Sequence, residues 1–214
     1  TLDEEDVNIM KAAKICVGAE RFQYDYLNDD ITDSGEIDYK LTDKIPQSLR
    51  DVIRDANEGK KKLLVLINPP YAEATNADNT AKGSKKENKT GVAKTKWANV
   101  GMEKYGKASN ELFTQFISRM AKEIPNATLA MFSKLKYVNA PNFELFRKEW
   151  NSKYLDGFVV HSKSFEGLKG DFPIGFLIWK TLNKSTEFPS EISCEVLDKN
   201  SIPIGSKSFF NIKC

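Results

Sequence analysis

Leu63-Leu64-Val65-Leu66-Ile67-Asn68-Pro69-Pro70-Tyr71 is the stretch from which the rest of the chain is read. Five consecutive aliphatic residues predict a β-strand buried on both faces, the habit of a central parallel strand. The run stops at Asn68-Pro69-Pro70, because neither proline can donate a ladder hydrogen bond. In open α/β sheets, ligands bind in the crevice beyond the carboxyl ends of the strands. An amide, two rigid prolines and an aromatic ring are therefore expected where chemistry usually happens.

Asn68 offers a side-chain carbonyl acceptor, and Pro69 fixes a backbone carbonyl that points outward. Two such acceptors can bind both hydrogens of an exocyclic amine, leaving the nitrogen lone pair aimed at an electrophile. Tyr71 supplies a flat face on which a planar base can stack, worth about 1–3 kcal/mol. Nothing in this chemistry requires a metal or a basic side chain. The plainer reading of the same residues is a proline-terminated strand with no chemistry.

The tetrad Asn68-Pro69-Pro70-Tyr71 resembles the catalytic motif of S-adenosylmethionine-dependent amino-group methyltransferases, most of all the DNA adenine-N6 enzymes. Phe22-Gln23-Tyr24-Asp25-Tyr26-Leu27 resembles the segment that borders the cofactor's adenine in that family. The resemblance implies that Asp25 accepts from the adenine N6 and that Tyr26 flanks the ring; otherwise the segment is an aromatic turn with solvated acids. Ser164-Phe165-Glu166-Gly167 resembles the family's late motif, which assigns Phe165 to the extruded base, with Phe172 as the competing ring.

The 214 residues fit one domain with room for a substantial core. Acids and bases nearly balance at a net charge of +2, so the chain as a whole is not a polycation. Cys16, Cys194 and Cys214 have no metal-ligand spacing and suit reduced thiols in a cytoplasmic protein. With His161 as its one histidine, the chain has almost no material for a histidine triad or a zinc site. No stretch approaches the roughly 20 apolar residues that cross a membrane.

Residues 3–14 read as a helix with acids first and lysine last, and 45–57 as a second helix stopped by Glu58-Gly59. Ile15-Cys16-Val17 is a short apolar piece broken by Gly18. From Ala72 to Ser109 aliphatic periodicity fades, and between Lys82 and Lys107 there are eight lysines against Glu87 and Glu103. So long a basic loop, beside the tetrad, is expected to clamp a phosphate backbone through Lys82, Lys85, Lys86, Lys89, Lys94 and Lys96. Trp97 and Tyr105 read as ordering anchors within it. Asn110–Met120 then predicts an amphipathic helix, 127–132 a buried strand, and Asn142–Trp150 another helix. Gly157–His161 and Gly175–Trp179 predict antiparallel strands, with two further short strands at Ile192–Val196 and Ser208–Ile212. His161 reads as a strand residue.

The fold expected from this order is α/β: a partial Rossmann-like methyltransferase sheet, mostly parallel, with a C-terminal antiparallel hairpin. Residues 1–188 are expected to form a partial catalytic domain with 72–109 as its basic loop, and 189–214 an accessory hairpin or the start of the next region. The family holds S-adenosylmethionine with a glycine-rich loop, which is absent upstream of Asn68, and Thr1 is not an initiator methionine. The chain therefore reads as part of a restriction-modification methyltransferase, inactive alone. Its expected partners are DNA and the rest of the parent polypeptide, with no membrane. Methyl transfer to a protein glutamine or an RNA guanine, or a non-catalytic DNA-binding remnant, are the other readings.

Overall fold

The computed structural model describes residues 2–70, 95–165 and 170–211. Two helices, α1 (Glu4–Ala12) and α2 (Gln47–Asn57), precede strand β1 (Leu64–Ile67). Helices α3 (Lys96–Val100) and α4 (Leu112–Glu123), with a 3-10 segment Glu103–Asn110 between them, lead to β2 (Thr128–Lys134). Then come α5 (Lys136–Asn139), α6 (Glu144–Glu149), β3 (Ser152–His161), β4 (Pro173–Thr181), β5 (Glu191–Leu197) and β6 (Pro203–Phe210). The strands form one mixed sheet in the order β1-β2-β4-β3-β5-β6. Pairing is parallel at β1–β2 and β3–β5 and antiparallel elsewhere. The α/β class and the antiparallel β3–β4 pair are as expected from sequence. The last hairpin continues the same sheet, its turn set by Asp198, whose carboxylate accepts from the N–H groups of Asn200 and Ile202.

Strand alternation divides the sheet into two unlike faces. Val65 and Ile67 stand in register with Leu129 and Met131, which in turn oppose Trp179 and Leu177. These side chains meet Phe113, Ile117 and Met120 of α4 and Phe146 of α6 in the principal core. Phe113, Ile117 and Met120 recur every three or four residues, the spacing that turns one helix stripe inward. Full burial of each contributes about 1.5–3 kcal/mol. Around them Trp150 and Trp179 lie with ring centroids 5.1 Å apart, and the Trp179 indole N–H donates to the Tyr137 hydroxyl at 3.0 Å.

The other face carries Leu64 and Leu66, then Ala130 and Phe132, Ile178 and Phe176, and Phe158. None of these belongs to the buried clusters into which the helices pack. Here one sequence expectation is corrected: β1 is not buried on both faces. Among the described residues it ends the sheet, and Leu64 and Leu66 are 64% and 69% exposed. The uninterrupted aliphatic run encodes two-sided burial, but the helices flanking β1 in sequence pack on only one of its sides.

Residues 13–18 form turns, with Lys14 and Cys16 at positive φ. One smaller correction concerns local structure: residues 96–100 and 103–109, expected within a loop, are helical and anchored. Trp97 is 1% exposed, and its indole N–H donates to Ser118 at 2.9 Å. The Thr95 side chain caps α3 by accepting from the Ala98 N–H.

Candidate active site

β1 delivers the motif to the carboxyl end of the sheet: Asn68 and Pro70 are exposed there, and Pro69 is buried. Continuing the alternation of Leu64 and Leu66 by one step places Asn68 on the uncovered face, in the row of Phe132. Phe132 is also where Phe165 arrives. The two rings meet edge to face, centroids 5.4 Å apart and planes at 77°. The fold thus brings Asn68 and Phe165, 97 positions apart in sequence, to one end and one face of the sheet. Tyr71 lies outside the described residues.

Phe165 is presented by a short pinned loop. β3 ends at His161 and a 3-10 turn, Ser162–Ser164, follows. The Ser162 N–H donates to the Phe172 carbonyl at 2.9 Å and its hydroxyl to the Gly170 carbonyl at 2.6 Å, closing the base of the loop. Phe172 points its ring toward Lys134, whose Nζ stands 5.9 Å from the ring centroid. His161 is the last residue of β3: Nδ1 accepts from the Lys163 N–H, and Nε2 lies 3.5 Å from Asp171. Lys163 pairs with the same carboxylate at 2.7 Å, which holds the Asp171 pKa below its usual value.

On the opposite side of β1, the aromatic segment 22–30 is fastened to α4 by buried charge. Arg119 is fully buried; its guanidinium donates to the carbonyls of Tyr26 and Asp29 and to the Tyr24 hydroxyl. Glu123, one turn on, accepts from the hydroxyls of Tyr26 and Tyr39, each at 2.6 Å. Tyr26 is stacked on Phe116, centroids 5.7 Å apart and 12° from parallel, with the Arg119 guanidinium 4.3 Å from its ring centroid. Burial, reinforced by the Glu123 charge, raises the Tyr26 pKa well above 10 and keeps the hydroxyl protonated. Sequence reading missed Arg119 and Glu123. The available signal was an i,i+4 charge pair on a helix whose neighbouring positions are apolar.

Asp25 serves its own turn: its carboxylate accepts from the Leu27 N–H at 3.1 Å and from the Asn28 side chain at 2.8 Å. Tyr26 instead lines a cavity of about 360 Å³ with Met10, Arg21, Phe22, Ile67 and Phe116. Ile67 immediately precedes Asn68, so this aromatic pocket adjoins the motif. Its rings and thioether suit a flat base, which fits the adenine end of S-adenosylmethionine. Of the lysines, Lys96 opens α3: its N–H donates to Asn28 at 2.7 Å and its Nζ pairs with Asp33 at 3.0 Å. Lys82, Lys85, Lys86, Lys89 and Lys94 lie outside the described residues. Cys16 and Cys194 are free thiols, and no cluster of potential metal ligands occurs among the described residues.

Among solved structures, two show a weak likeness to parts of this chain. One is the ATP-dependent Type ISP restriction-modification enzyme LlaBIII bound to DNA, at 12% identity and a TM-score of 0.37. That match covers 64% of this chain and 10% of that one. The other is the DrdV–DNA complex, at 13% identity and a TM-score of 0.40, covering 71% of this chain and 16% of its counterpart. The chain thus spans a small part of the proteins it resembles. No family model matches it, and no curated protein matches it in sequence. No helix among the described residues is long and apolar enough to cross a membrane.

Proposed function

We propose that this chain carries the base-handling part of a site-specific DNA adenine-N6 methyltransferase of a restriction-modification enzyme. The observation that carries the reading is that Asn68-Pro69-Pro70, following β1, and Phe165, packed on Phe132 of β2, stand at the same end of the sheet. The Asn68 side-chain carbonyl and the Pro69 carbonyl accept the two hydrogens of the adenine amine. That grip orients the nitrogen lone pair and lets it develop positive charge as it attacks. Phe165 packs against one face of a base taken out of the helix, and Tyr71 against the other.

S-adenosylmethionine supplies the electrophilic methyl group. Tyr26, Phe22 and Phe116 wall the pocket beside Ile67 that receives its adenine, with Asp25 holding the turn that places Tyr26. The lysines at 82, 85, 86, 89, 94 and 96 contact DNA phosphates, which favours a nucleic acid over a protein glutamine. The test is methyl transfer from tritiated S-adenosylmethionine by the natural protein, offered duplex DNA, RNA and a glutamine peptide in parallel. Label recovered as N6-methyladenine in DNA supports the reading, and label in guanine or glutamine alone refutes it.

A further inference from the structure

Lys134 closes β2, two positions beyond Phe132. Side chains alternate along a strand, so it shares the uncovered face with Phe132 and Asn68. It is half-buried, and among the described residues no carboxylate pairs with it. Two other lysines near this end of the sheet are committed elsewhere: Lys136 pairs with Glu111 at 2.9 Å and Lys163 with Asp171 at 2.7 Å. Lys134 instead lies against the Phe172 ring, its Nζ 5.9 Å from the centroid. An aromatic face steers an ammonium but leaves its charge unbalanced. The loop between β3 and β4 is thus seated on β2 twice, by Phe165 on Phe132 and by Phe172 on Lys134.

We propose that Lys134 binds the backbone phosphate of the extruded target nucleotide, with Phe172 as the residue that positions it. The proposal rests on the assignment of Asn68 to the adenine amine. β1 and β2 are parallel, so the step from the row of Asn68 to Lys134 runs outward past the carboxyl end, by roughly 7 Å over two residues. A base that enters from that end with its amine foremost carries its sugar and phosphate behind it, on the outward side. The flexible four-carbon stem of a lysine spans what remains and delivers a compact charge to the phosphate. The contact is blind to base identity, so it adds grip on any nucleotide in the pocket while Asn68 selects the amine. It also separates the two rings of the loop. Phe172 is engaged with an ammonium, which leaves the stacking role to Phe165.

The test is a cycle between protein and DNA, measured as binding by the natural protein. Wild type, Lys134→Gln and Lys134→Arg are each titrated with a duplex whose target adenine is mispaired. A second duplex differs only in carrying neutral methylphosphonates on both sides of that adenine. On ordinary DNA, Lys134→Gln should bind severalfold more weakly and lower the slope of log affinity against log salt by about 0.9, the value of one phosphate contact. Lys134→Arg, which keeps the charge, should restore both. On the methylphosphonate duplex, Lys134→Gln should bind as the wild type does. An equal loss on the two duplexes, or no loss on either, overturns the proposal. Failure of the underlying reading looks different: a wild type that shows no preference for the mispaired adenine over a paired one overturns the assignment of Asn68, and this proposal with it.

Discussion

Ile178 and Trp179 are neighbours on β4 and belong to different environments. Trp179 is fully buried among Tyr137, Trp150 and Phe188; Ile178 lies half-buried on the uncovered face. The same contrast runs along the whole sheet. One face is closed by α4 and α6 and holds the molecule together. The other carries Asn68 and Phe165 at its carboxyl end, apolar side chains across β1, β2 and β4, and the charged Asp156 and Glu195 on β3 and β5. Stability and the proposed grip on the target base fall on opposite sides of one set of strands.

The contrast breaks if both sides respond alike to truncation. Trp179→Ala should cost about 3–5 kcal/mol in urea unfolding, because a large buried ring leaves a cavity that its aromatic neighbours cannot fill. Ile178→Ala should cost about 1 kcal/mol, the ordinary value for a partly exposed site. Equal losses would mean that the uncovered face is better packed than its register implies. Arg119→Met should approach the larger figure, about 3–5 kcal/mol, since it strands the buried Glu123 carboxylate and releases the segment 22–30 from α4.

Alkali should attack the covered side selectively. Burial raises the hydroxyl pKa values of Tyr24, Tyr26, Tyr39 and Tyr105, the last to about 12. These groups keep their protons in the fold at pH values where the unfolded chain loses them, above about 10. Their contribution is therefore intact below about pH 10 and falls as pH rises from about 10 toward 12. Melting temperature followed across that window should drop, and Tyr26→Phe with Tyr39→Phe should flatten the drop. A flat profile in the wild type would contradict the buried tyrosine cluster.

Smaller effects belong to the uncovered face. Phe165→Ala should weaken binding of the natural protein to DNA carrying an extruded or mispaired adenine by about 1–3 kcal/mol, without altering the unfolding midpoint much. If Phe172→Ala weakens that binding instead, Phe172 is the stacking ring. Leu66→Lys should change the stability of the isolated chain by no more than about 0.5 kcal/mol, measured by urea unfolding.

How much of this was legible in the sequence follows from the range over which each contact acts. β1 and its proline stop could be read directly, because aliphatic composition and a missing N–H act within a few residues. The apolar stripe of α4 was legible for the same reason. What could not be read was which side of β1 would be filled: Leu64 and Val65 are equivalent in composition and differ only in where α4 packs. The α3 helix was hidden in a lysine-rich stretch without periodicity, because it is ordered by the distant contact of Trp97 with Ser118. Phe165 was visible through the motif it resembles. Its seat on Phe132 and the Arg119–Glu123 clamp under Tyr26 join residues far apart in the chain, and no local pattern records them.

The most direct test of the account separates cofactor affinity from transfer in Asn68→Ala, made in the natural protein. Asn68 is assigned to the target amine, so single-turnover methylation of an adenine-containing duplex should fall to background. The dissociation constant for S-adenosylmethionine, measured by calorimetry on the same sample, should stay within about twofold, well under the roughly 1.4 kcal/mol of a tenfold change. Transfer at a rate near that of the wild type would contradict the central claim that Asn68 holds the reacting nitrogen.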